Sequence, residues 1–203
     1  MKQKKLLAGQ SQEILDLLSE YSKALSLLEQ YDAGTLTKPK GAKAKFVLKY
    51  EDCVKIIKDV RAELIGKEKG LNRAESSVGR TDSIKESVLG GSLFGSERSK
   101  MLEGIIKNLY QTFNKKELYN TVEEKAAHLL YLMVKDHPFS DGNKRLGAFL
   151  FVYFLYKNSY LYKKNGEEKI SNNALVALAL LIAESDPKEK DVMVKIIANI
   201  LNC

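Results

Sequence analysis

The sequence predicts a mainly α-helical protein, a bundle of helices with one small β-hairpin. Apolar residues recur at helical spacing through most of the 203 residues, and only one short stretch is rich in β-forming side chains. Two segments also begin with the Ser or Thr caps that are typical of helix starts. With 44% hydrophobic and 29% charged residues, the composition is that of a globular protein and excludes a disordered or fibrous chain.

Two helices are predicted before residue 67. The first covers residues 11–31, where five apolar side chains share one face: Ile14, Leu18, Tyr21, Leu25 and Leu28. Such a stripe packs on its own domain or pairs with a second copy of the chain, which would give a homodimer through the N-terminal helix. The second helix is expected to end near Gly66. Residues 1–66 are therefore predicted to form an N-terminal helical hairpin extension, and residues 67–203 the main domain.

Glycines and a lack of periodicity predict a loop-rich stretch over residues 67–95, with a short helix at residues 84–89. Helical spacing returns at residue 101. The β-forming side chains Tyr110, Thr112 and Phe113 follow, and then a turn-like Asn-Lys-Lys run. A small hairpin is predicted near residues 109–119.

The clearest helix start is Thr121, because Glu124 follows three residues later, a pattern in which the two side chains cap free backbone amides. This helix should end before Pro138. The next helix begins after Gly142 and is apolar on every side over residues 146–155, so we expect it at the centre of the bundle.

Two further helices are predicted towards the C-terminus. Residues 160–169 favour a loop or a marginal hairpin. Ser171 then caps an apolar helix that ends near residue 184, and Pro187 opens a last amphipathic helix.

The charge balance is 33 basic against 26 acidic residues, a net charge of +7. One segment carries five lysines and no acid: Lys38, Lys40, Lys43, Lys45 and Lys49. We interpret it as a solvated connector between helices. Nucleic acid is not an expected partner, because no aromatic platform or reading helix accompanies these lysines.

No membrane contact is expected, because the longest uncharged stretch, residues 170–183, is too short to cross a bilayer. The first ten residues lack the apolar run of a secretory signal, so we expect a cytoplasmic protein. Cys53 and Cys203 show no paired spacing and are interpreted as reduced thiols.

The segment that carries chemistry is residues 137–145, HPFSDGNKR. A Gly-Asn pair that opens a helix points backbone amides at an anion, and the helix dipole with the following Lys and Arg adds positive charge. Asp141 supplies the hard carboxylate oxygen that Mg²⁺ accepts beside nucleotide phosphates. His137 can take a proton from a hydroxyl near neutral pH. Together these residues favour phosphoryl or nucleotidyl transfer, whereas His128, among apolar neighbours, is interpreted as a packed helix residue.

The same run resembles the signature of the Fic/Doc family, His-x-Phe-x-Asp/Glu-Gly/Ala-Asn-Gly/Lys-Arg. The resemblance extends over residues 84–200 and is strongest to the Fic domain of virulence RhuM-type proteins. It implies a Fic/Doc-type helical bundle in which the small hairpin is the flap that holds an extended target segment by strand addition. Residues before about position 80 belong to no recognisable motif.

The resemblance implies a role for each position of the motif. His137 is similar to the general base, Asp141 to the metal-binding carboxylate and Phe139 to the buried aromatic. The phosphate-binding set would be Gly142, Asn143, Lys144 and Arg145. The target-docking flap would be Leu109, Tyr110, Gln111, Thr112 and Phe113.

The resemblance also implies the substrates: ATP or another nucleoside triphosphate with Mg²⁺, and a protein with a Ser, Thr or Tyr hydroxyl. Lys144 stands where AMP-transferring members have glycine, and Ala148 where they have a second arginine. Because Doc-type kinases share both departures, we place protein phosphorylation ahead of protein adenylylation (AMPylation). A catalytically dormant binding module is the remaining alternative.

An inhibitory helix of the family carries Ser/Thr-x-x-x-Glu-Gly/Asn, and residues 99–104 fit these letters. We interpret the match as incidental, because the segment runs into the flap instead of forming a separate helix. Inhibition would then need an antitoxin or another inhibitory partner, or would be absent.

Overall fold

The computed structural model describes residues 22–74 and 93–202. Seven α-helices in these ranges carry the fold, so the predicted mainly helical class is confirmed. We number them α1 (residues 22–32), α2 (Tyr50–Ala74), α3 (Met101–Leu109), α4 (Val122–Lys135), α5 (Asn143–Lys157), α6 (Asn172–Glu184) and α7 (Lys190–Asn202).

Helix α4 is the centre of the bundle and packs against α3, α5, α6 and α7. Every side chain from Val122 to Val134 is buried, including two acids, a lysine and a histidine. These polar groups are tolerated because almost all of them have partners. Lys125, 1% exposed, lies with its Nζ 2.7 Å from a carboxylate oxygen of Glu117 and also donates to the carbonyl of Tyr119.

Helix α5 is less enclosed than its uncharged sequence predicts. Phe149 is 47% and Tyr156 61% exposed, so the prediction that this helix is surrounded on every side is wrong. Apolar periodicity shows which side chains can be buried without a penalty. Helix α4 is more polar than α5, but it can occupy the centre because its buried polar side chains have hydrogen-bond partners.

His128 is buried in α4 and stacks on the ring of Tyr119, with 3.7 Å between the ring centroids. Burial lowers its pKa to about 4, and the charges of Lys190 and Lys38 act in the same direction. Its interpretation as a packed residue is confirmed.

The segment before α2 is tied to α4 and α5. The Glu123 carboxylate is fully buried and accepts the amide of Ala42 at 3.0 and 3.2 Å and the hydroxyl of Tyr160. The side-chain oxygen of Asn158 accepts the amides of Lys45 and Phe46 at 2.9 and 3.0 Å. The lysine-rich connector is therefore fastened along the bundle by its backbone.

Helix α2 continues to Ala74, so the predicted end near Gly66 is wrong, and so is the predicted loop over residues 67–74. Residues 75–92 of the predicted loop lie outside the described residues. The two glycines in this part of the helix, Gly66 and Gly70, each cost only about 1 kcal/mol relative to alanine, and the lysines and glutamate between them are good helix formers. The predicted division at residues 66 and 67 lies inside α2 and stays a prediction. The short helix predicted at residues 84–89 lies outside the described residues.

The N-terminal amphipathic helix is helical over its described part, residues 22–32. Two residues of its predicted apolar stripe, Leu25 and Leu28, are 48% and 59% exposed. The stripe therefore does not pack on its own domain at these two positions. The other three stripe positions lie outside the described residues, and self-association stays a prediction.

The predicted hairpin is confirmed as β1 (Thr112–Phe113) paired antiparallel with β2 (Lys116–Glu117). Asn114 and Lys115 between them both have positive φ, 50° and 63°, as a two-residue type I′ turn requires. Leu118 closes the hairpin by donating its amide to the carbonyl of Gln111 at 2.9 Å.

The predicted helix starts are also found. Thr121 accepts the amide of Glu124 at 3.1 Å, and the Glu124 carboxylate accepts the amide of Asn120 at 3.0 Å. Ser171 caps α6, and the turn that begins at Pro187 leads into α7. Residues 160–169 form a turn closed by one isolated bridge, between residues 162 and 168. Across the part of the chain that the structure describes, we find no helix of the length and apolar character that a bilayer crossing demands.

Candidate active site

The HPFSDGNKR motif forms the loop between α4 and α5 and the first turn of α5. Asp136 caps the end of α4, and burial raises the pKa of its carboxyl group. His137 follows with φ of 48°, a left-handed backbone that is uncommon for a residue with a Cβ. Phe139 is 1% exposed and anchors the loop in the core, in agreement with the packing role expected for it.

Asn143 holds the loop closed from the first residue of α5. Its side-chain oxygen accepts the amide of Phe139 at 2.8 Å, and its nitrogen donates to the carbonyl of the same residue, also at 2.8 Å. The same nitrogen lies 3.3 Å from Nδ1 of His137. The side chain predicted to bind phosphate therefore fixes the loop and touches the predicted base.

A second segment, residues 93–98, braces the motif loop from outside. Its backbone makes three hydrogen bonds to the loop: Gly95 donates to the carbonyl of Asp141 at 3.2 Å, and Arg98 to that of Pro138 at 2.7 Å, while Ser140 donates to Ser96 at 2.9 Å. The loop is thus held on one side by Asn143 and on the other by the 93–98 segment, which limits its freedom before any ligand binds.

Phe94 of this segment is a site component that the sequence gives no signal for. Its ring is buried at 3% exposure and fills the space beside Gly142. The guanidinium of Arg145 lies over the same ring, 4.6 Å from its centroid, within the range of a cation–π contact. The contacts join residues about fifty positions apart, which local patterns do not reveal.

The motif residues line one cleft of about 380 Å³: His137, Ser140, Asp141, Gly142, Asn143, Lys144 and Arg145. Gly142, with φ of 86°, caps α5. Beyond it the first amides of a 15-residue helix have no partners within the helix. Lys144 and Arg145 are exposed in this turn, which has no acidic residue. The cleft therefore combines a histidine, a carboxylate and a cationic helix start that attracts anions.

Asp141 and Arg145 form an ion pair across the cleft, with 3.2 Å between the guanidinium nitrogen and the carboxylate oxygen. Both side chains are close to half exposed, at 40% and 46%, so water screens the pair and opening it costs little. The ion pair thus keeps both side chains at the cleft, and either Asp141 or Arg145 can leave its partner to bind a ligand.

A family model described as the Fic/DOC family matches residues 52–155. The chain belongs to the Fic/DOC family. No curated protein and no solved structure matches the chain. Membership of this family suggests a Fic-type transferase that acts on proteins, and members commonly transfer nucleotidyl or phosphoryl groups from a nucleoside triphosphate with Mg²⁺. The RhuM-type likeness stays a prediction.

The donor set of the Fic/DOC cleft fits Mg²⁺. Within residues 22–74 and 93–202, no cluster of three or more acidic, histidine or cysteine side chains could enclose a metal. Mg²⁺ needs no such cage, because one or two carboxylates suffice when phosphates and waters complete its shell. Asp141 is the carboxylate that the cleft offers.

The predicted flap residues do not all reach the surface. Leu109 is fully buried at the end of α3, and Tyr110 is half-buried with its hydroxyl accepting the amide of Leu48 at 2.7 Å. Gln111, Thr112 and Phe113 are exposed, and Phe113 is 69% exposed. Only these last three are therefore accessible to a docked segment.

The segment that fits the letters of an inhibitory helix is occupied by its own contacts. Glu103 lies in α3 and pairs with Lys107, one turn later, at 2.7 Å. This ion pair holds the pKa of the Glu103 carboxyl below its ordinary value. Residues 101–109 form helix α3, which leads directly into the hairpin. The interpretation that the match is incidental stays a prediction.

Proposed function

We propose that this Fic/DOC protein transfers the γ-phosphate of ATP, or of another nucleoside triphosphate, to a Ser, Thr or Tyr hydroxyl of a target protein. The observation that carries the proposal is Lys144. It is exposed at the mouth of the cleft, in the first turn of α5. Within the described ranges it makes no ion pair, so its charge is open to a phosphate.

The size of Lys144 favours phosphoryl over AMP transfer. A glycine at this position would leave room beside the helix start, whereas a lysine side chain fills that room and adds a cationic ligand. Ala148, one turn later, gives no second arginine for an α-phosphate. Both features favour a nucleotide bound with its terminal phosphate at the base.

The phosphates would be held by the unpaired amides at the start of α5 and by Lys144 and Arg145. Arg145 would leave Asp141 for a phosphate oxygen, and the freed carboxylate would hold Mg²⁺. The metal, when bound, neutralises phosphate charge that develops during transfer. Phe94 keeps the Arg145 guanidinium oriented while it changes partners, because their contact does not involve Asp141.

His137 would receive the proton of the target hydroxyl. The hydroxyl oxygen forms a bond to the γ-phosphorus, and the bond between that phosphorus and the β–γ bridging oxygen breaks. ADP leaves with the electron pair, and the proton stays on the imidazole until water removes it. The target segment would lie along the flap, where Thr112 and Phe113 offer an exposed strand.

The test is labelling of a cell lysate with Mg²⁺ and ATP that carries label at either the α- or the γ-phosphate. Label on protein from the γ-position alone supports the proposal. Label from the α-position would instead show AMP transfer. No label on any protein, including the enzyme itself, would indicate a dormant binding module.

His137→Ala and Asp141→Asn are the loss-of-function controls, and both should abolish labelling. Asp186→Asn is a matched control for the aspartate, because Asp186 caps the turn before α7 and does not line the cleft. A double variant, Lys144→Gly with Ala148→Arg, tests the argument on nucleotide orientation. It should lower γ-labelling, and unchanged γ-labelling would contradict the role given to Lys144.

A further inference from the structure

The orientation of the Asn143 amide is determined by the backbone of Phe139. The amide of Phe139 can only donate, so it faces the Asn143 oxygen, and the carbonyl of Phe139 can only accept, so it faces the Asn143 nitrogen. If the Asn143 amide were flipped, its nitrogen would face the amide of Phe139, donor against donor, and its oxygen would face the carbonyl of Phe139, acceptor against acceptor, each at 2.8 Å. The NH₂ end of Asn143 therefore faces His137.

This orientation decides which nitrogen of neutral His137 carries the proton. Asn143 has two hydrogens on Nδ2, of which one goes to the carbonyl of Phe139 and the second faces Nδ1 of the imidazole at 3.3 Å. Nδ1 must then be the acceptor, because a proton on it would meet another donor. The proton of the neutral ring belongs on Nε2.

We propose that Asn143 is a positioning residue that holds nucleotide-free His137 in the Nε2–H tautomer and so masks the base. With Nδ1 against Asn143, Nε2 is the nitrogen left for the cleft, and a protonated Nε2 donates a hydrogen bond instead of accepting a proton. Only the consequence for catalysis rests on the proposed function; the tautomer itself follows from the hydrogen bonds.

Unmasking requires an acceptor that draws the Asn143 hydrogen away from Nδ1. A phosphate oxygen at the start of α5 has the required chemistry, since it only accepts hydrogen bonds at an ionised oxygen. The imidazole then loses a proton from Nε2 to water and takes one from water at Nδ1, with no net change in charge. The Asn143 side chain would thereby couple phosphate binding to the loss of the proton from Nε2 of His137.

The inference is tested by NMR on protein with ¹⁵N-labelled histidine, at a pH well above about 6.5, the ordinary pKa of histidine. The chain has only two histidines, so His128 serves as an internal reference. We expect a protonated Nε2 and an unprotonated Nδ1 for His137 in the nucleotide-free protein. A proton on Nδ1 in that spectrum would overturn the inference whether or not the protein is active.

Asn143→Asp tests whether this residue sets the tautomer. The aspartate keeps an oxygen for the amide of Phe139 and presents another oxygen to Nδ1, so the proton should move to Nδ1. The matched control is Asn158→Asp, because Asn158 is also a buried asparagine bonded to backbone, including the carbonyl of Phe154, but has no histidine beside it. Its His137 spectrum should be that of the wild type.

If Asn143→Asp does not fold, the tautomer ratio of His137 is measured in Asn143→Ala instead. Loss of one hydrogen bond should change the ratio of the two tautomers by about twofold to tenfold towards Nδ1–H. A folded variant with an unchanged ratio would show that Asn143 does not set the tautomer.

Addition of ATP with Mg²⁺ to the wild type should move the proton to Nδ1. If the spectrum stays unchanged although ATP binds, the link to phosphate is refuted.

Discussion

Gly142 is the position where a single added methyl group should be most damaging to the site. Its φ of 86° is a left-handed conformation, and a Cβ placed on it would lie 2.4 Å from Cε2 and 2.6 Å from Cδ2 of Phe94. The ring has no room to move aside, because Phe94 is 3% exposed and is fixed by the backbone pairing of the 93–98 segment to the motif loop.

The cost of Gly142→Ala has two parts. A left-handed backbone costs an L-residue about 1–2 kcal/mol, and overpacking a filled site costs about 1–3 kcal/mol. The free energy of unfolding should therefore fall by about 2–5 kcal/mol. Gly166 is the matched control, since its φ is 87° and no atom lies within 4 Å of its added Cβ. Gly166→Ala should cost only the backbone part, about 1–2 kcal/mol.

Urea-induced unfolding of both variants, followed by circular dichroism, measures the two costs. Combining Gly142→Ala with Phe94→Leu should recover part of the loss, because the smaller side chain makes room for the methyl group. Equal costs at the two glycines, or strict additivity with Phe94→Leu, would refute the conclusion that the ring of Phe94 occupies this space.

Three further substitutions test other parts of the fold. His128 has a folded-state pKa of about 4, below the unfolded value of about 6.5. The free energy of unfolding should therefore fall by up to about 3 kcal/mol as the pH drops from about 6.5 to about 4. Urea titrations at several pH values should show that His128→Phe lacks this loss. Lys115→Gly relieves a φ of 63° and should stabilise the hairpin by roughly 0.5–1 kcal/mol, seen as slower hydrogen exchange of the Leu118 amide. Lys125→Met removes the buried partner of Glu117 and should destabilise the protein by about 1–3 kcal/mol, with faster exchange in the flap as the local signature; unchanged exchange would contradict the anchoring role of the lysine.

Much of the fold could be predicted because its signals are local. Thr121 and Ser171 start helices by bonds within one turn, and the Asn-Lys turn fixes the hairpin. The sequence also predicts that the motif residues share one site, because they are neighbours along the chain. Helix α2 continues past Gly66, where the sequence predicts its end, because a glycine indicates a break only when its neighbours also disfavour a helix.

The rest depends on contacts between distant parts of the chain. Phe94 reaches Arg145, and the amide of Ala42 reaches Glu123, and no period or composition marks either pair. The burial of two acids of α4 has the same origin, because Glu123 pairs with the amide of Ala42 and Glu124 with Lys38. Sequence patterns indicate which side chains are apolar, but they do not show which polar ones will be satisfied.

The pairing of Glu123 with Ala42 bears on how the protein can be shortened. A truncated protein that begins at residue 67 would lack the Ala42 amide, and the fully buried Glu123 carboxylate would keep only the hydroxyl of Tyr160. It would also lose Leu36 and Leu48, both buried in the wild type. Residues from Leu36 onwards are thus inseparable from the helices that carry the motif, and an excised catalytic unit must begin upstream of that residue.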